Sequence, residues 1–296
     1  MKTRTYWIIG LSVFFLCCLG GGFFLFLAAV LTPSSDWTES WGDIAIVEVK
    51  GPIFESKEIN EKLEKYRKSS SVKAVVLRID SPGGSVGASQ EIYTEVKKLA
   101  EKKKVVVSMG AVAASGGYYI AAPATKIVAN PGTLTGSIGV LMEHVEVQDL
   151  LQWAKVSAEI LKAGESKDIG SALRKMTPEE RKFLEDLLKN MHAQFQKAVA
   201  EGRKIPLEEV QKIADGRVYT GEQALGLKLV DQLGNEADAI QLAKELAGIK
   251  GEPRIIRPEK PKPFWQDVLF GEGSERMFQN LFAKAVGFRA MYLMSY

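Results

Sequence analysis

The sequence predicts an α/β domain with a mostly parallel sheet, preceded by a hydrophobic amino-terminal segment. From residue 44 onward, short apolar runs alternate with amphipathic runs of helical length. Strands that alternate with such helices form parallel sheets with crossover helices. The chain has 296 residues, 46% of them hydrophobic, so it can form one large or two modest domains with a real core.

Composition excludes several classes of function. The net charge of +3 is small, and basic and acidic residues are interleaved, so the sequence does not predict nucleic-acid binding. Both cysteines, Cys17 and Cys18, lie in the hydrophobic amino-terminal run. The rest of the chain therefore has no disulfide, cysteine nucleophile or cysteine zinc site. We expect neither a metal ion nor a cofactor.

The amino-terminal segment predicts a transmembrane anchor. Residues 5–35 carry no charge, and the most apolar part, residues 7–31, would span roughly 37 Å as a helix, which is enough to cross a bilayer. Lys2 and Arg4 precede it, which predicts a cytoplasmic amino terminus and places the rest of the chain outside. A cleaved signal peptide is the alternative. Residues 33–35 make a weak cleavage site, so we favour an uncleaved anchor.

Three parts follow from the composition. They are residues 1–35, the amino-terminal stub and anchor; residues 36–249, the α/β domain; and residues 250–296, a Pro-rich linker with an aromatic tail.

Within the domain, apolar and alternating runs predict strands at residues 44–49, 73–79, 104–108, 126–129, 136–141 and 158–161. Amphipathic runs predict helices at residues 56–68, 90–102, 118–122, 147–154, 177–201, 207–214 and 235–247. A capping box with proline at the first helical position, residues 177–180, begins the longest of them.

Ser115 is the strongest candidate for a catalytic residue. It lies among the small residues 111–117, between a predicted strand and a short predicted helix. Small neighbours let a substrate backbone approach, and the first N–H groups of the helix point at negative charge that develops beside the hydroxyl. The alternative is a structural role as a helix N-cap, where serine is favoured.

The base for Ser115 is less obvious. His144 and His192 have no recognisable orienting acid nearby. A lysine can act instead when burial favours its neutral form, and Lys167 is a candidate because it follows a predicted strand in a loop with small residues. Most lysines are solvated, so a purely structural role is the alternative for Lys167, and Lys162 is the next candidate base.

Two glycines after the strand at residues 73–79 provide a second source of backbone N–H donors. Gly83 and Gly84 permit the close backbone approach that a reacting carbonyl needs, so they are candidates for the second half of an oxyanion hole. An ordinary Pro-Gly turn is the alternative interpretation.

Four motifs, taken together and in this order, resemble a known family. They are IDSPGG at residues 79–84, AASGGYY at 113–119, GTLTGSIGV at 132–140 and DGRVYTG at 215–221. The set is similar to signal peptide peptidase A in its short, single-domain bacterial form, a family of serine proteases with a Ser-Lys dyad. The resemblance runs from about residue 44 to residue 247.

The resemblance implies a Clp-protease/crotonase-like fold and assigns roles to individual residues. Ser115 would be the nucleophile, Lys167 the general base, and Ser137 the serine that orients the lysine. The oxyanion would be bound by main-chain N–H groups near Gly83 or Gly84 and at Gly116.

The resemblance also implies substrates and partners. The substrates would be remnants of cleaved signal peptides and other hydrophobic peptides, at the outer face of the cytoplasmic membrane. Dyads in this family are built between neighbouring subunits, which predicts a homo-oligomer, an octamer by analogy. The end of the tail, residues 288–296, resembles a substrate, so self-trimming or self-occupancy of the groove is a further hypothesis.

Three other functions remain as alternatives. An NfeD-like Ser-Lys membrane protease would cut specific membrane proteins, but the sequence lacks the extra small β-barrel domain and additional spans that those proteins often carry. A crotonase-type acyl-CoA enzyme would share the fold but would need no Ser-Gly-Gly nucleophile. A non-catalytic oligomeric membrane scaffold would have no need to retain both Ser115 and Lys167.

Overall fold

The computed structural model of the chain describes residues 42–257 and 291–293. The predicted anchor, residues 7–31, lies outside the described residues. Within the described ranges, no helix has both the length and the apolar character that crossing a bilayer requires.

Strands and helices alternate as predicted. The first half of the domain contains β1 (Ile44–Lys50), α1 (Lys57–Lys68), β2 (Ala74–Ser81), β3 (Gly83–Ser85), α2 (Val86–Lys102), β4 (Lys104–Ala114), α3 (Gly116–Ala121), β5 (Lys126–Ala129) and β6 (Leu134–Gly136). The second half contains α4 (Gln148–Trp153), a 3₁₀ turn (Glu165–Asp168), α5 (Pro178–Arg203), α6 (Leu207–Ile213), β7 (Val218–Thr220), α7 (Gly221–Gly226), β8 (Gln232–Leu233), α8 (Glu236–Leu246), β9 (Ile255–Ile256) and β10 (Met291–Leu293).

The central sheet is mostly parallel. Its strand order is β7-β6-β4-β2-β1-β9, and β5 pairs with both β4 and β8. β2 lies between β1 and β4 and runs parallel to both, whereas β7 runs antiparallel to β6. The side chains of β1, β2 and β4 are nearly all buried, as expected for parallel strands that are covered on both faces. The carboxyl ends of β2 and β4 therefore meet at one edge of the sheet.

Helices cover both faces of this sheet. Ala45 and Val47 of β1 belong to the larger core, which includes residues of α1, α2, α3 and α5. Ile44 and Ile46 point to the opposite face and pack in a second core with α8. Successive side chains of a strand point to opposite faces, so an unbroken apolar run is needed to fill both cores.

Four predictions differ from the structure. The strand predicted at residues 136–141 is instead β6, Leu134–Gly136, and residues 137–140 belong to no strand or helix. β4 extends to Ala114 instead of ending at Ser108, because it continues through a bulge. Residues 158–161 form no strand: three of the four are apolar, but they are exposed and pair with no strand in the described part of the chain. Ile255 of β9 pairs with Ile44, so the sheet continues past residue 249, where the sequence suggests that a linker begins.

Candidate active site

A bulge in β4 directs the chain toward Ser115. The pairing of β4 with β2 shifts register beyond Ile79, which leaves extra residues in β4. Within this bulge, Oδ1 of Asp80 accepts a hydrogen bond of 3.1 Å from the Val112 amide. Because a bulge bends its strand and re-aims the residues that follow, Asp80 helps to set the position of Ser115.

Ser115 lies in a strained backbone conformation between β4 and α3. Its φ is 52° and its ψ is −117°, in a region that residues other than glycine rarely adopt. Its amide donates to the Gly136 carbonyl at 2.8 Å, and its own carbonyl accepts from the Tyr119 amide at 2.8 Å. The Ser115 side chain makes no capping hydrogen bond to α3, so the structural N-cap role finds no support.

The Ser115 hydroxyl is buried and unpaired. The residue is 1% exposed, and its Oγ has no hydrogen-bond partner among residues 42–257 and 291–293. A buried polar group without a partner costs about 1–3 kcal/mol of stability. The fold therefore holds a free hydroxyl in a strained turn at an energetic cost, which is typical of functional positions.

The pairing of β4 with β6 brings Ser137 next to Ser115. Ala114 pairs with Gly136 in parallel, and each serine is the next residue along its strand. Ser137 is also buried and also has a positive φ, 51°, and its amide donates to the Arg217 carbonyl at 2.9 Å. The two serines are therefore neighbours at the same edge of the sheet.

Three glycines surround a narrow gap beside Ser115. A Cβ built on Gly116 would lie 3.1 Å from the Gly84 amide nitrogen and 3.2 Å from the Gly83 Cα. A Cβ built on Gly83, whose φ is 104°, would lie 2.7 Å from the Gly116 amide nitrogen. Main-chain nitrogens of two segments thus border the gap, and it stays open because none of the three residues has a side chain.

The carboxyl-terminal strand β10 occupies this gap. It runs antiparallel to β3, with Tyr292 opposite Gly84, and on its other edge Met291 and Leu141 exchange two backbone hydrogen bonds of 3.1 Å. The Tyr292 carbonyl oxygen lies 2.1 Å from the point where a Gly83 Cβ would stand. A carbonyl group from the tail of the chain therefore lies between the glycines.

An aromatic pocket, formed by Tyr93, Tyr119 and Phe195, adjoins the gap. The ring of Tyr292 stacks on Tyr119 with centroids 5.1 Å apart and lies 4.7 Å from the Phe195 ring. Tyr93 packs edge-on against Tyr119. Sequence reasoning misses this pocket: Tyr119 follows the Ser-Gly-Gly motif, but Phe195 lies in the middle of α5, where it reads as an ordinary core residue.

Lys167 is not bonded to either serine. It lies exposed in the 3₁₀ turn, and its Nζ has no hydrogen bond or ion pair with the residues that the structure describes. The neighbouring Asp168 binds Lys162 at 2.5 Å and Arg174 at 2.6 Å. The Asp168 carboxylate is therefore paired with Lys162 and Arg174 and not with the Lys167 amine. Lys162, the alternative base, is held in this ion pair.

Neither histidine is hydrogen-bonded to the Ser115 hydroxyl. Nε2 of His192 lies 3.1 Å from the Ile138 carbonyl oxygen. His144 is half-buried, and its Nε2 has no partner in the described ranges. In that same part of the chain, no three His, Cys, Asp or Glu side chains are placed to hold a metal ion.

Arg174 anchors the turn that carries Lys167. Its Nε donates to Asp168 at 2.6 Å, and its Nη1 donates to Glu180 of α5 at 2.8 Å.

Arg174, with Lys162, holds the pKa of Asp168 well below its usual range. Arg174, with the Thr177 amide, lowers the pKa of Glu180 to about 2. Carboxylates with lowered pKa values stabilise the folded form above their usual pKa, and this contribution is lost as the pH falls through the lowered values.

Replacing Arg174 by alanine should loosen the turn while the domain stays folded. Amide hydrogen exchange at residues 165–168 should become several-fold faster, because Asp168 and Glu180 lose their shared cation. Wild type should show the same loosening as the pH falls from about 4 toward 2. Lys175→Ala is the matched control, since its ion pair with Asp149 is exposed and should contribute little. Equal exchange in the two variants would contradict the anchoring role.

Comparison with known proteins identifies the family. The model of Peptidase family S49 matches residues 97–250, and the Clp protease model matches residues 44–133. A Synechocystis protein named as a protease is 44% identical over 241 residues, which cover 80% of this chain and 87% of that protein. An Enterococcus faecium protein named as signal peptide peptidase SppA is 37% identical over 184 residues, which cover 62% of this chain and 54% of that protein.

Among solved structures, a ClpP1 mutant from Listeria monocytogenes is 19% identical with a TM-score of 0.44, and the alignment covers 66% of this chain and 94% of that one.

These matches confirm the resemblance to signal peptide peptidase A and the Clp-protease-like α/β fold that it implies. They also make the chain a peptidase. The family match covers more than half of the chain, and the Synechocystis relative is matched over most of its length. The chain belongs to peptidase family S49.

Proposed function

We propose that this chain is a serine endopeptidase in which Ser115 is the nucleophile and Lys167 the general base, with Ser137 orienting the lysine. The observation that carries the proposal is the state of Ser115. Its hydroxyl is buried, unpaired and held in a strained turn, beside a gap that is bordered by the amides of Gly84 and Gly116.

The mechanism needs one proton carrier and two backbone donors. Oγ of Ser115 attacks the peptide carbonyl while the neutral Lys167 amine takes the hydroxyl proton and then passes it to the leaving amine. Water releases the acyl group from Ser115 by the same route. Activity should therefore be highest on the alkaline side, where the amine is deprotonated.

The oxyanion that forms during attack requires N–H groups already in place. The Gly116 amide is the first of α3 and has no acceptor within its helix. The Gly83 amide donates to Oγ of Ser81 at 3.1 Å, so the amide of Gly84 is the better second donor. These two groups, one from each side of the gap, form the oxyanion hole in this proposal.

A neighbouring copy of the chain completes the site in this proposal. Lys167 is exposed, and the segment around it, residues 143–176, presents large apolar side chains to solvent; Trp153 is 82% exposed and Leu161 is 88% exposed. Exposed apolar patches of this kind mark contact surfaces. A second copy that covers the patch would remove water from the Lys167 amine and so favour its neutral form. We therefore expect a homo-oligomer, an octamer by analogy with the family.

Hydrophobic peptides, above all the remnants of cleaved signal peptides, are the substrates in this proposal. The uncharged residues 5–35 would anchor the chain in the cytoplasmic membrane, with the amino terminus inside and the catalytic domain outside. The aromatic pocket beside Ser115 suits large apolar side chains. Release of the chain from membranes by an alkaline carbonate wash would contradict the anchor.

Replacing Ser115 by alanine should reduce hydrolysis of a fluorogenic, signal-peptide-like substrate by at least about a thousandfold, because the attacking oxygen is lost. The assay uses the full-length chain in detergent. Ser108→Ala is the matched control. Ser108 lies in β4 and is buried like Ser115, but its hydroxyl accepts a hydrogen bond of 2.8 Å from Arg78 and does not face the gap. We expect the control to keep its activity. Equal turnover by wild type and Ser115→Ala would overturn the proposed function.

A further inference from the structure

Ser89 lies behind the gap that is bordered by the two backbone donors. It is the fourth residue of α2, the helix that packs against α3, and it is fully buried. The proposed mechanism uses Ser115, Ser137 and the glycines around them, and it gives Ser89 no part. The contacts of the Ser89 hydroxyl nevertheless reach both sides of the gap.

On one side, the Ser89 hydroxyl is bonded to the strand that carries the first donor. It donates a hydrogen bond of 2.9 Å to the Ser85 carbonyl, at the end of β3. The Ser85 amide donates to the Ile53 carbonyl at 2.7 Å, and the Ile53 amide donates to the Gly83 carbonyl at 2.8 Å. Because Gly83 and Ser85 are bonded to Ile53, Gly84 between them directs its amide to the opposite edge of β3, toward the gap.

On the other side, the oxygen of the same hydroxyl contacts the residue that carries the second donor. A Cβ built on Gly116 would stand 2.6 Å from Ser89 Oγ, which is the nearest atom, and 3.1 Å from the Gly84 amide nitrogen. Only a hydrogen atom fits in that space. The first residue of α3 therefore packs directly against the Ser89 oxygen.

From these contacts we infer that Ser89 is a positioning residue for the oxyanion hole, and that its hydroxyl fixes the spacing between the amides of Gly84 and Gly116. The hydrogen bond to Ser85 holds the oxygen in place, and the oxygen limits how closely α3 approaches β3. Both donors must lie about 2.7–3.1 Å from the oxyanion, so a small shift of either one weakens the stabilisation. The inference rests on the proposed function, and Ser89 acts in it through the glycines and not on the substrate.

The alternative is an ordinary role in the helix. Serine and threonine side chains in helices can bond to the carbonyl four residues earlier. Thr94 of α2 does so, since its Oγ1 donates to the Gln90 carbonyl at 2.8 Å, but Thr94 is exposed. Thr94→Ala is therefore the matched control for Ser89→Ala, because it removes the same kind of bond from the same helix.

The kinetics of Ser89→Ala test the inference in the full-length chain in detergent. With the fluorogenic substrate, we expect kcat to fall about tenfold or more while KM stays within about twofold, because the hole binds the transition state more strongly than the substrate. Thr94→Ala should keep the wild-type kcat. Thermal unfolding gives the folded fraction of each variant, so that kcat is compared per folded molecule.

A peptide boronic acid measures the hole itself. Its boron accepts an electron pair from Ser115 Oγ and becomes tetrahedral, which imitates the transition state. In Ser89→Ala, its inhibition constant should rise by about the same factor as kcat falls. The inhibition constant of the peptide amide with the same sequence, which forms no such bond, should stay unchanged.

A double variant tests the contact between Ser89 and Gly116. Gly116→Ala should nearly abolish activity, because its Cβ would stand 2.6 Å from Ser89 Oγ. Ser89→Ala removes that obstacle, so the double variant should be at least about tenfold more active than the product of the two single effects. If Gly116→Ala alone does not fold, recovery of folded protein in the double variant reports the same contact. Multiplicative effects in folded variants, or no recovery, would contradict it.

The outcomes separate this inference from the proposed function. Wild-type kcat and boronic-acid affinity in Ser89→Ala would overturn the positioning role and leave the peptidase proposal standing. A raised KM at unchanged kcat would also overturn it, because Ser89 would then act in substrate binding. Hydrolysis that does not depend on Ser115 would overturn the proposed function, and the role of Ser89 with it.

Discussion

A chain in which Lys167 is replaced by methionine should hydrolyse peptides about a thousandfold more slowly than wild type and keep its fold. Methionine has a similar length but cannot accept a proton at neutral or alkaline pH. Because the Lys167 side chain is exposed and has no partner within the described residues, its removal should cost the protomer little stability. A loss of activity with an unchanged thermal unfolding midpoint would therefore show that the lysine acts in the reaction and not in folding.

Lys162→Met is the matched control for this experiment. It removes an ion pair with Asp168 from the same segment but leaves the proposed base in place. We expect it to retain most of its activity. Full activity in Lys167→Met, combined with loss in Lys162→Met, would move the base to Lys162.

Complementation tests whether the lysine acts on a neighbouring copy. Co-expressed Ser115→Ala and Lys167→Met chains would form mixed assemblies in which an intact serine faces an intact lysine. Such mixtures should regain a measurable part of the wild-type activity, although each chain alone is inactive. Failure to recover any activity in verified mixed oligomers would contradict the shared site.

Replacing Gly83 by alanine should reduce kcat/KM by about a hundredfold or more, because the oxyanion contact is lost. The φ of Gly83 is 104°, which strains an alanine, and the added Cβ would stand 2.1 Å from the Tyr292 carbonyl oxygen and 2.7 Å from the Gly116 amide nitrogen. Both are backbone atoms, so neither can rotate away. A substrate carbonyl that follows the path of Tyr292 would meet the same obstacle.

Gly87→Ala provides the control in the same region. Gly87 lies in α2, and a Cβ there would meet nothing within 4 Å. Alanine in a helix should stabilise the chain by about 0.5–1 kcal/mol relative to glycine. We expect normal kcat/KM and a slightly higher unfolding midpoint. Wild-type kcat/KM in Gly83→Ala would show that the scissile carbonyl does not pass through this gap.

Much of the fold is predictable because its signals are local. β1 begins with four successive apolar residues, 44–47, which fill two cores, and β2 repeats the pattern at residues 74–77; together these runs indicate a covered parallel sheet. The beginning of α5 is equally local: Thr177 Oγ1 accepts from the Glu180 amide at 3.2 Å, and Glu180 accepts from the Thr177 amide at 2.9 Å. The predicted capping box is confirmed.

Other features depend on neighbours that a single segment does not reveal. The continuation of β4 needs Asp80 of the adjacent strand, which satisfies the Val112 amide in the bulge. Residues 158–161 are mostly apolar and so predict a strand, but in the structure they are exposed and pair with no described strand.

The candidate site shows the same division between local and distant information. A strand–turn–helix pattern of small residues suffices to single out Ser115, but its positive φ and its unpaired hydroxyl are tertiary properties. The aromatic pocket combines Tyr93, Tyr119 and Phe195 from three separate helices. The role that we propose for Lys167 depends on assembly, because within one protomer its amine has no partner among the described residues.

The position of β10 has a kinetic consequence. A competitor that is covalently part of the enzyme cannot be diluted, because its effective concentration is set by the chain and not by the solution. The apparent KM for any added peptide would therefore be inflated by a constant factor at every enzyme concentration. If the substrates are signal peptides in a bilayer, as we propose, their local concentration would be high enough to displace the tail, whereas dilute peptides in solution would compete with it poorly.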